Sequence, residues 1–428
     1  MPISRPLIVP LHEQSVRVYL HNFVPDDTIG GVHLLASQIV RHATTSEAVR
    51  LAMSAIGLAI LANMRCNPRM LIEARADYAK ALHCTNTALR SRSTCLEVET
   101  LNAVLLLGMF EVISCEAPKS LENWQNHIGG AAAFLELWNT RRVCSMIGMQ
   151  LFTQLRTELM ANCLRTQTRV PHTLRKLSKL VQSCRTKSDA GVEDLVDLIA
   201  DLSDLLADVK NHGLPDPLEA IGRARELDLK LHRWSQALPP RWQCALRCAT
   251  NQTGNILSKQ SYSDYYYVYA DIWACNTWSY YRNARIMLNL LIRDRLLPYL
   301  AIHHYPDWKP LMDEAKENIE RQSMDILLSV PFAFATQYSS AVQAGQGLRR
   351  AGGCLGGYYI LWPLYVAASV QTPGSPLREW AVGQLLVLGY SMGIGQALLM
   401  AKVLRGQLPA QALSVYDYCQ SYYSDTDG

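Results

Sequence analysis

The stretch SYSDYYYVYADIWACNTWSYYRNARIMLNLLIR, residues 261–293, mixes aromatic side chains with Asp, Asn and Arg. It contains neither Pro nor Gly, so the pattern predicts one helix running through it. At about 100° per residue, Asp264, Asp271, Cys275, Trp278, Arg282, Arg285, Asn289 and Arg293 share a stripe. Asp271 has no cation within one helical turn, and Arg282 and Arg285 have no carboxylate. Once buried, such charges need partners from other segments, a metal or a ligand. Two readings follow. The helix is a core element tied to its neighbours by ion pairs, or it is one wall of a pocket that is acidic at one end, basic at the other and aromatic between.

The rest of the chain is helical in pattern. An amphipathic helix is expected over 11–24, and further helices over 32–43, 46–65, 70–92, 95–114 and 142–165. Later ones are expected over 218–237, 311–330, 354–370, 377–387 and 391–405. Pro298 should end the aromatic helix and Pro331 the one after it. Leu51–Met64 is apolar nearly all round and should be central. No strand run of convincing length and no fixed-period repeat is present. The expected architecture is all-α: a single large multi-helix domain. It takes in residues 1–428, with a core from about 11 to 405, a basic connector at about 165–190 and a short C-terminal tail.

Composition sets limits. Hydrophobic residues make up 49% of the 428 and charged residues 18%, enough for a large core. A net charge of +4 does not by itself suggest nucleic acid. Twelve scattered cysteines fit a reducing compartment rather than a disulfide framework. No secretion signal is expected at the N-terminus. The uncharged stretches Ala351–Leu377 and Trp380–Ala401 are interrupted by Gly, Pro and Gln and read as buried helices, so no membrane is expected.

Several local patterns invite chemistry. Asp26-Asp27 invites a metal but more often makes a turn or cap. His127, in Trp124–Ala132, reads as a hydrogen-bonded core histidine, and Gly129-Gly130 allows close backbone approach. The bases from Arg165 to Lys187 lack interleaved aromatics and read as a solvated face, as do the acids from Glu193 to Asp208. Gly389-Tyr390-Ser391-Met392-Gly393 matches a nucleophile elbow, but no His follows it in the chain, which argues against a hydrolase. No Cys-x-x-Cys pair occurs.

Seven short segments, in this order, resemble the fungal-specific transcription factor regulatory domain: Tyr78–Leu82, Leu105–Glu111, Trp124–Ala131, Trp278–Ile286, Asp325–Pro331, Gly356–Tyr365 and Met392–Ala397. The resemblance implies a helical domain around a cavity. The zinc-cluster cysteines and basic segment that usually precede such a domain are expected to be absent. The fold also resembles that of unusual fungal sesquiterpene cyclases of the humulene-synthase kind.

That second resemblance implies a Mg²⁺-dependent cyclase ionising farnesyl diphosphate in a secondary-metabolite pathway. Asp264, Asp271 and Asn276 would then hold Mg²⁺, a hard cation preferring oxygen. Arg282 and Arg285 would bind the leaving diphosphate. Trp273 and Trp278 would stabilise carbocations through their ring faces. Asn63, Arg65 and Tyr281 would complete the substrate pocket. Asp271 and Arg282 lie roughly 16 Å apart along a helix, so other helices must contribute. The partner expected is a prenyl diphosphate with no direct nucleic acid, a homodimer being allowed, and the compartment cytoplasmic. The alternative is a nuclear transcriptional regulator that binds a small molecule or another transcription factor.

Overall fold

The computed structural model describes residues 10–24, 46–138, 140–184, 190–211, 213–214, 216–248, 261–301, 308–335 and 354–413. The expected helix over 32–43 and the Asp26-Asp27 pair lie outside the described residues. The first half is helical: α1 (Leu11–Phe23), α2 (Glu47–Arg65), α3 (Pro68–Arg90), α4 (Val98–Ile113), α5 (Pro118–Leu137), a single turn α6 (Thr140–Val143), α7 (Met146–Thr166), α8 (His172–Cys184), α9 (Ala190–Lys210) and α10 (Pro217–Ala237). A small hairpin follows, β1 (Ala245–Cys248) and β2 (Tyr265–Val268), antiparallel with Ala245 opposite Val268. Then come α11 (Ile272–Ala301), α12 (Lys309–Leu327), α13 (Val330–Ala335), α14 (Cys354–Ser369), α15 (Pro376–Tyr390) and α16 (Gly395–Leu404). The fold is a single all-α domain.

Side-chain caps set several helix starts. Asn67, Ser145, Asp216 and Ser375 each accept a hydrogen bond from a backbone N–H in the first turn. Three of these precede a Pro at the first helical position, where its missing donor costs nothing. The core helices are α2 and α4, both mostly apolar and mostly buried. Every residue of α4 from Thr100 to Ile113 is buried. α2 is also the one helix among the described residues long and apolar enough to cross a membrane, yet most of it is buried against its neighbours. Gly57 lets α1 cross α2: a Cβ there would sit 1.9 Å from the Ser15 carbonyl oxygen. Beside that crossing, Ser54 donates to Asp77 (2.7 Å), and Ser15 lies 2.8 Å from Ser54.

Four local expectations are corrected. Residues 261–271 are not helix, because Tyr265–Val268 pairs with β1 and Asp271 caps the helix that begins at Ile272. A run of aromatic and β-branched side chains suits a pleated surface better than a helix. Pro298 does not end α11, which continues to Ala301 with Pro298 in its last turn. The helix expected over 311–330 ends at Leu327, and Pro331 opens α13. Gly129 and Gly130 meet no backbone, since a Cβ at either would touch nothing within 4 Å.

Of the basic connector expected over about 165–190, residues 185–189 lie outside the described residues, and the described part is helical over His172–Cys184. Arg175 of α8 pairs with Asp201 (3.1 Å) and Asp204 (2.7 Å) of α9, and Arg169 with Asp208. Among the described residues, Arg169 and Arg175 of the basic stripe therefore face the acid stripe. Glu193 is buried and accepts two hydrogen bonds from buried Arg156, at 2.5 and 3.1 Å. Arg165 is buried too, stacked over Trp124 and donating to Asn162.

Candidate functional site

One face of α11 carries the charged stripe, and the rest of the molecule supplies its partners. Arg285 makes a two-pronged ion pair with Asp228 of α10, its Nε and Nη2 donating at 2.8 and 2.7 Å. Asn289 donates to the same carboxylate at 3.2 Å, and Asn318 of α12 donates to the Asn289 side-chain amide oxygen at 3.2 Å. The two-pronged geometry and added donors are what make a buried pair tolerable.

Arg282 is only 1% exposed. Its Nη1 donates to the Tyr269 and Ser329 hydroxyls, both at 2.6 Å. The guanidinium carbon lies 4.6 Å from the Tyr267 ring centre and 5.4 Å from that of Trp278, within cation–π range. Burial works against its charge, but Tyr269 and Asp325 outweigh it, and its pKa ends above the ordinary guanidinium value. Tyr267 in turn donates to Asp325 (3.1 Å).

The remaining expected site residues do not converge on a common pocket. Asp264 is exposed ahead of β2. The Asp271 carboxylate accepts from the Ala274 backbone N–H (2.8 Å) and lies 3.8 Å from Arg241. Asn276 is buried, and its amide oxygen has no hydrogen-bond partner among the described residues. Trp278 donates to the Trp242 carbonyl oxygen (2.7 Å) and Tyr281 to Ser235 (3.2 Å). Trp273 packs on Tyr359, their ring centres 5.5 Å apart. Asn63 donates to the carbonyl oxygens of Ile113 (2.7 Å) and Gly393 (2.8 Å), so it ties α2 to two chain reversals. Arg65 is exposed at the end of α2. Among the described residues no three Asp, Glu, His or Cys side chains are grouped to hold a metal. The donors expected for Mg²⁺ therefore do not make the oxygen-rich set that ion takes.

The opposite face of α11 borders a cavity of about 100 Å³, lined also by α4, α5, α7, α14 and α16. Tyr280, Asn283 and Met287 face it at helical spacing. Across from them stand Glu158 of α7, Tyr358, Tyr359 and Trp362 of α14, Trp124 of α5 and Gln396 of α16. Glu158 is half-buried by surface area, and its open side is cavity wall. Tyr358 donates to it at 2.9 Å. Burial raises its carboxyl pKa to about 7, against which the hydrogen bonds from Tyr358 and Trp124 act.

Sequence reasoning missed Glu158, Asn283 and Gln396. Gln396 stood inside one of the motifs quoted above, and Asn283 between the two arginines, but nothing local marked either as cavity-facing. His127 of α5 is hydrogen-bonded to Tyr78 (2.9 Å), which also donates to Glu111 (2.7 Å).

Residues 17–244, more than half of the chain, match the fungal specific transcription factor domain. The chain belongs to this family. A curated relative, transcription factor dbaG of Emericella nidulans, is 27% identical over 142 residues, which is 32% of this chain and 32% of that protein. The match thus spans about a third of the relative's length. No solved structure matches the chain.

Membership of the fungal transcription factor family corrects the functional expectation. The sesquiterpene cyclase, its lyase chemistry, its prenyl diphosphate substrate and the exclusion of any nucleic-acid role are all overturned by the match over 17–244. The geometry gives a physical reason. Arg285 is held by Asp228, and Arg282 is enclosed by rings and hydroxyls, so neither is offered to a diphosphate.

Proposed function

We propose that this chain is a transcriptional regulator, and that its helical domain works in the nucleus rather than in the cytoplasm. The observation that carries this reading is the family match over residues 17–244. The printed name of the Emericella nidulans relative, a transcription factor, supports it. So does the use of the α11 arginines as structural ties rather than as ligands for a reacting group. A regulatory domain of this kind needs a stable helical core and a means of responding to other molecules, not a catalytic constellation.

The test is chromatin immunoprecipitation and sequencing of the epitope-tagged chain in its host, with imaging of the same strain. Enrichment at a defined set of promoters, whose transcripts change on deletion of the gene, is the expected result. A tagged, functional protein that stays outside the nucleus and enriches no promoter would sink the reading.

A further inference from the structure

We infer that the cavity bordered by α7, α11 and α14 binds a small organic cation, an alkylammonium, with Glu158 as its counter-ion. Three observations converge on that chemistry. The first is which polar atoms the space reaches. Glu158 accepts the Tyr358 hydroxyl on Oε1 at 2.9 Å and keeps open surface on Oε2. The Tyr280 and Tyr359 hydroxyls have no hydrogen-bond partner among the described residues, and they too keep open surface. Burial pushes both phenols well above their ordinary pKa, so that surface is cavity rather than the outside of the molecule. The Glu158 carboxyl is near enough to Tyr280, Tyr358 and Tyr359 to push each phenol up further. One carboxylate oxygen and two phenol oxygens are therefore presented to one space. An ammonium group, with three donors and no acceptor, matches that set.

The second observation is the wall. Trp124, Tyr280, Tyr358, Tyr359 and Trp362 line the space, and the faces of such rings attract a cation and repel an anion. A volume of about 100 Å³ holds about five heavy atoms, on the scale at which about 150 Å³ takes benzene. Waters suit the same oxygens, but they do not neutralise a carboxylate.

The third is charge. Glu158 and Arg165 line the cavity with opposite formal charge, and they differ in access. Arg165 is 6% exposed, donates to the Leu413 carbonyl oxygen (3.3 Å) and to Asn162 (3.0 Å), and lies over the Trp124 ring. Its charge is taken up within the wall, whereas Glu158 is the more open of the two. Burial raises the Glu158 carboxyl to about 7. A cation beside it offsets that penalty, a neutral guest leaves it in place, and an anion adds to it.

The site does not depend on the transcriptional reading, since binding by the purified chain reports the cavity and promoter enrichment reports the regulator. The probes are n-butylamine, 1-butanol and butyrate, which put a cationic, a neutral and an anionic group on one short chain. Binding is measured on the full chain at about pH 8 and at about pH 5.5, by ligand-observed NMR and by the shift in Tm with ligand concentration.

At the higher pH, n-butylamine should bind at least about tenfold more tightly than 1-butanol, the difference expected when a charged hydrogen bond replaces a neutral one. Butyrate should bind more weakly than either. n-Butylamine is a cation at both pH values, so a change in its affinity reports Glu158. That affinity should fall at least about tenfold at the lower pH, where the carboxyl holds its proton, while 1-butanol stays within about twofold. Glu158→Gln keeps the shape and removes the charge. It should bring n-butylamine to within about threefold of 1-butanol and abolish the pH dependence. Binding of none of the three, 1-butanol or butyrate matching n-butylamine, or an n-butylamine affinity unmoved by pH or by Glu158→Gln would each overturn the assignment. The comparisons at the two pH values are read on the unmodified chain, so they decide the matter even where the variant fails to fold.

Discussion

At the scale of single residues, buried charge dominates the argument. Arg285 and Asp228 are both largely out of water and satisfy each other at two points. Replacing Asp228 with Ala leaves the guanidinium buried without its counter-ion, a loss expected to be about 3–5 kcal/mol. Urea unfolding of Asp228→Ala would show it as a lower midpoint at unchanged slope. A loss below about 1 kcal/mol would mean that water or Asn318 replaces the carboxylate.

Glu158 makes the opposite prediction about pH. Its folded pKa is raised from 4.5 to about 7. Between those values the folded chain holds a proton that the unfolded chain has released. This group's contribution to stability is therefore full below about 4.5 and is lost as pH rises through about 7, on the order of 3 kcal/mol in all. Glu158→Gln, which cannot ionise, should be free of that component. Stability of the two proteins measured from pH 5 to 8 should converge toward acid pH, with the native chain falling away toward neutral pH. Parallel curves would contradict the assignment.

At the scale of elements, the start of α11 is set by one side chain. Asp271 accepts from the Ala274 N–H, so Asp271→Ala removes a cap and should cost about 1 kcal/mol, while Asp271→Asn keeps an acceptor and should cost little. Thermal unfolding of both variants would separate capping from the more distant Arg241 contact, which both substitutions remove. The crossing of α1 over α2 depends on Gly57 in the same way. Gly57→Ala would drive a methyl into the Ser15 carbonyl, so α1 must shift, at a cost of about 1–3 kcal/mol.

Element boundaries were legible where the apolar periodicity is regular, as for α1, α2, α4 and α10. They were not legible over 261–271. No Gly or Pro breaks that stretch, and only pairing with β1 in space selects strand there. The stripe Asp264–Arg293 was drawn through that misread segment. On the part that is helix, it correctly grouped Trp278, Arg282, Arg285 and Asn289. Those side chains meet Asp228, Tyr269 and Ser329, whereas Tyr280, Asn283 and Met287, about half a turn away, reach the cavity.

At the scale of the whole molecule, α2 and α4 are the most deeply packed of the apolar helices, while α8 and α9 pair their charged faces near the surface. Amide hydrogen exchange should follow that order, with α2 and α4 opening only in global unfolding and α8 by local opening. Exchange from α2 as fast as from α8 would contradict the packing.

The sequence by itself determined the all-α class, the central place of the apolar helices and the family, because propensity, periodicity and short ordered motifs are properties of neighbouring residues. Only the tertiary structure decided what the charges and polar groups do. Arg285 finds Asp228 across 57 positions and Tyr358 finds Glu158 across 200, and no local pattern encodes contacts that exist only once the helices pack. The same holds for Gln396 and Asn283, which lie far apart in the chain and line one cavity only once their helices pack.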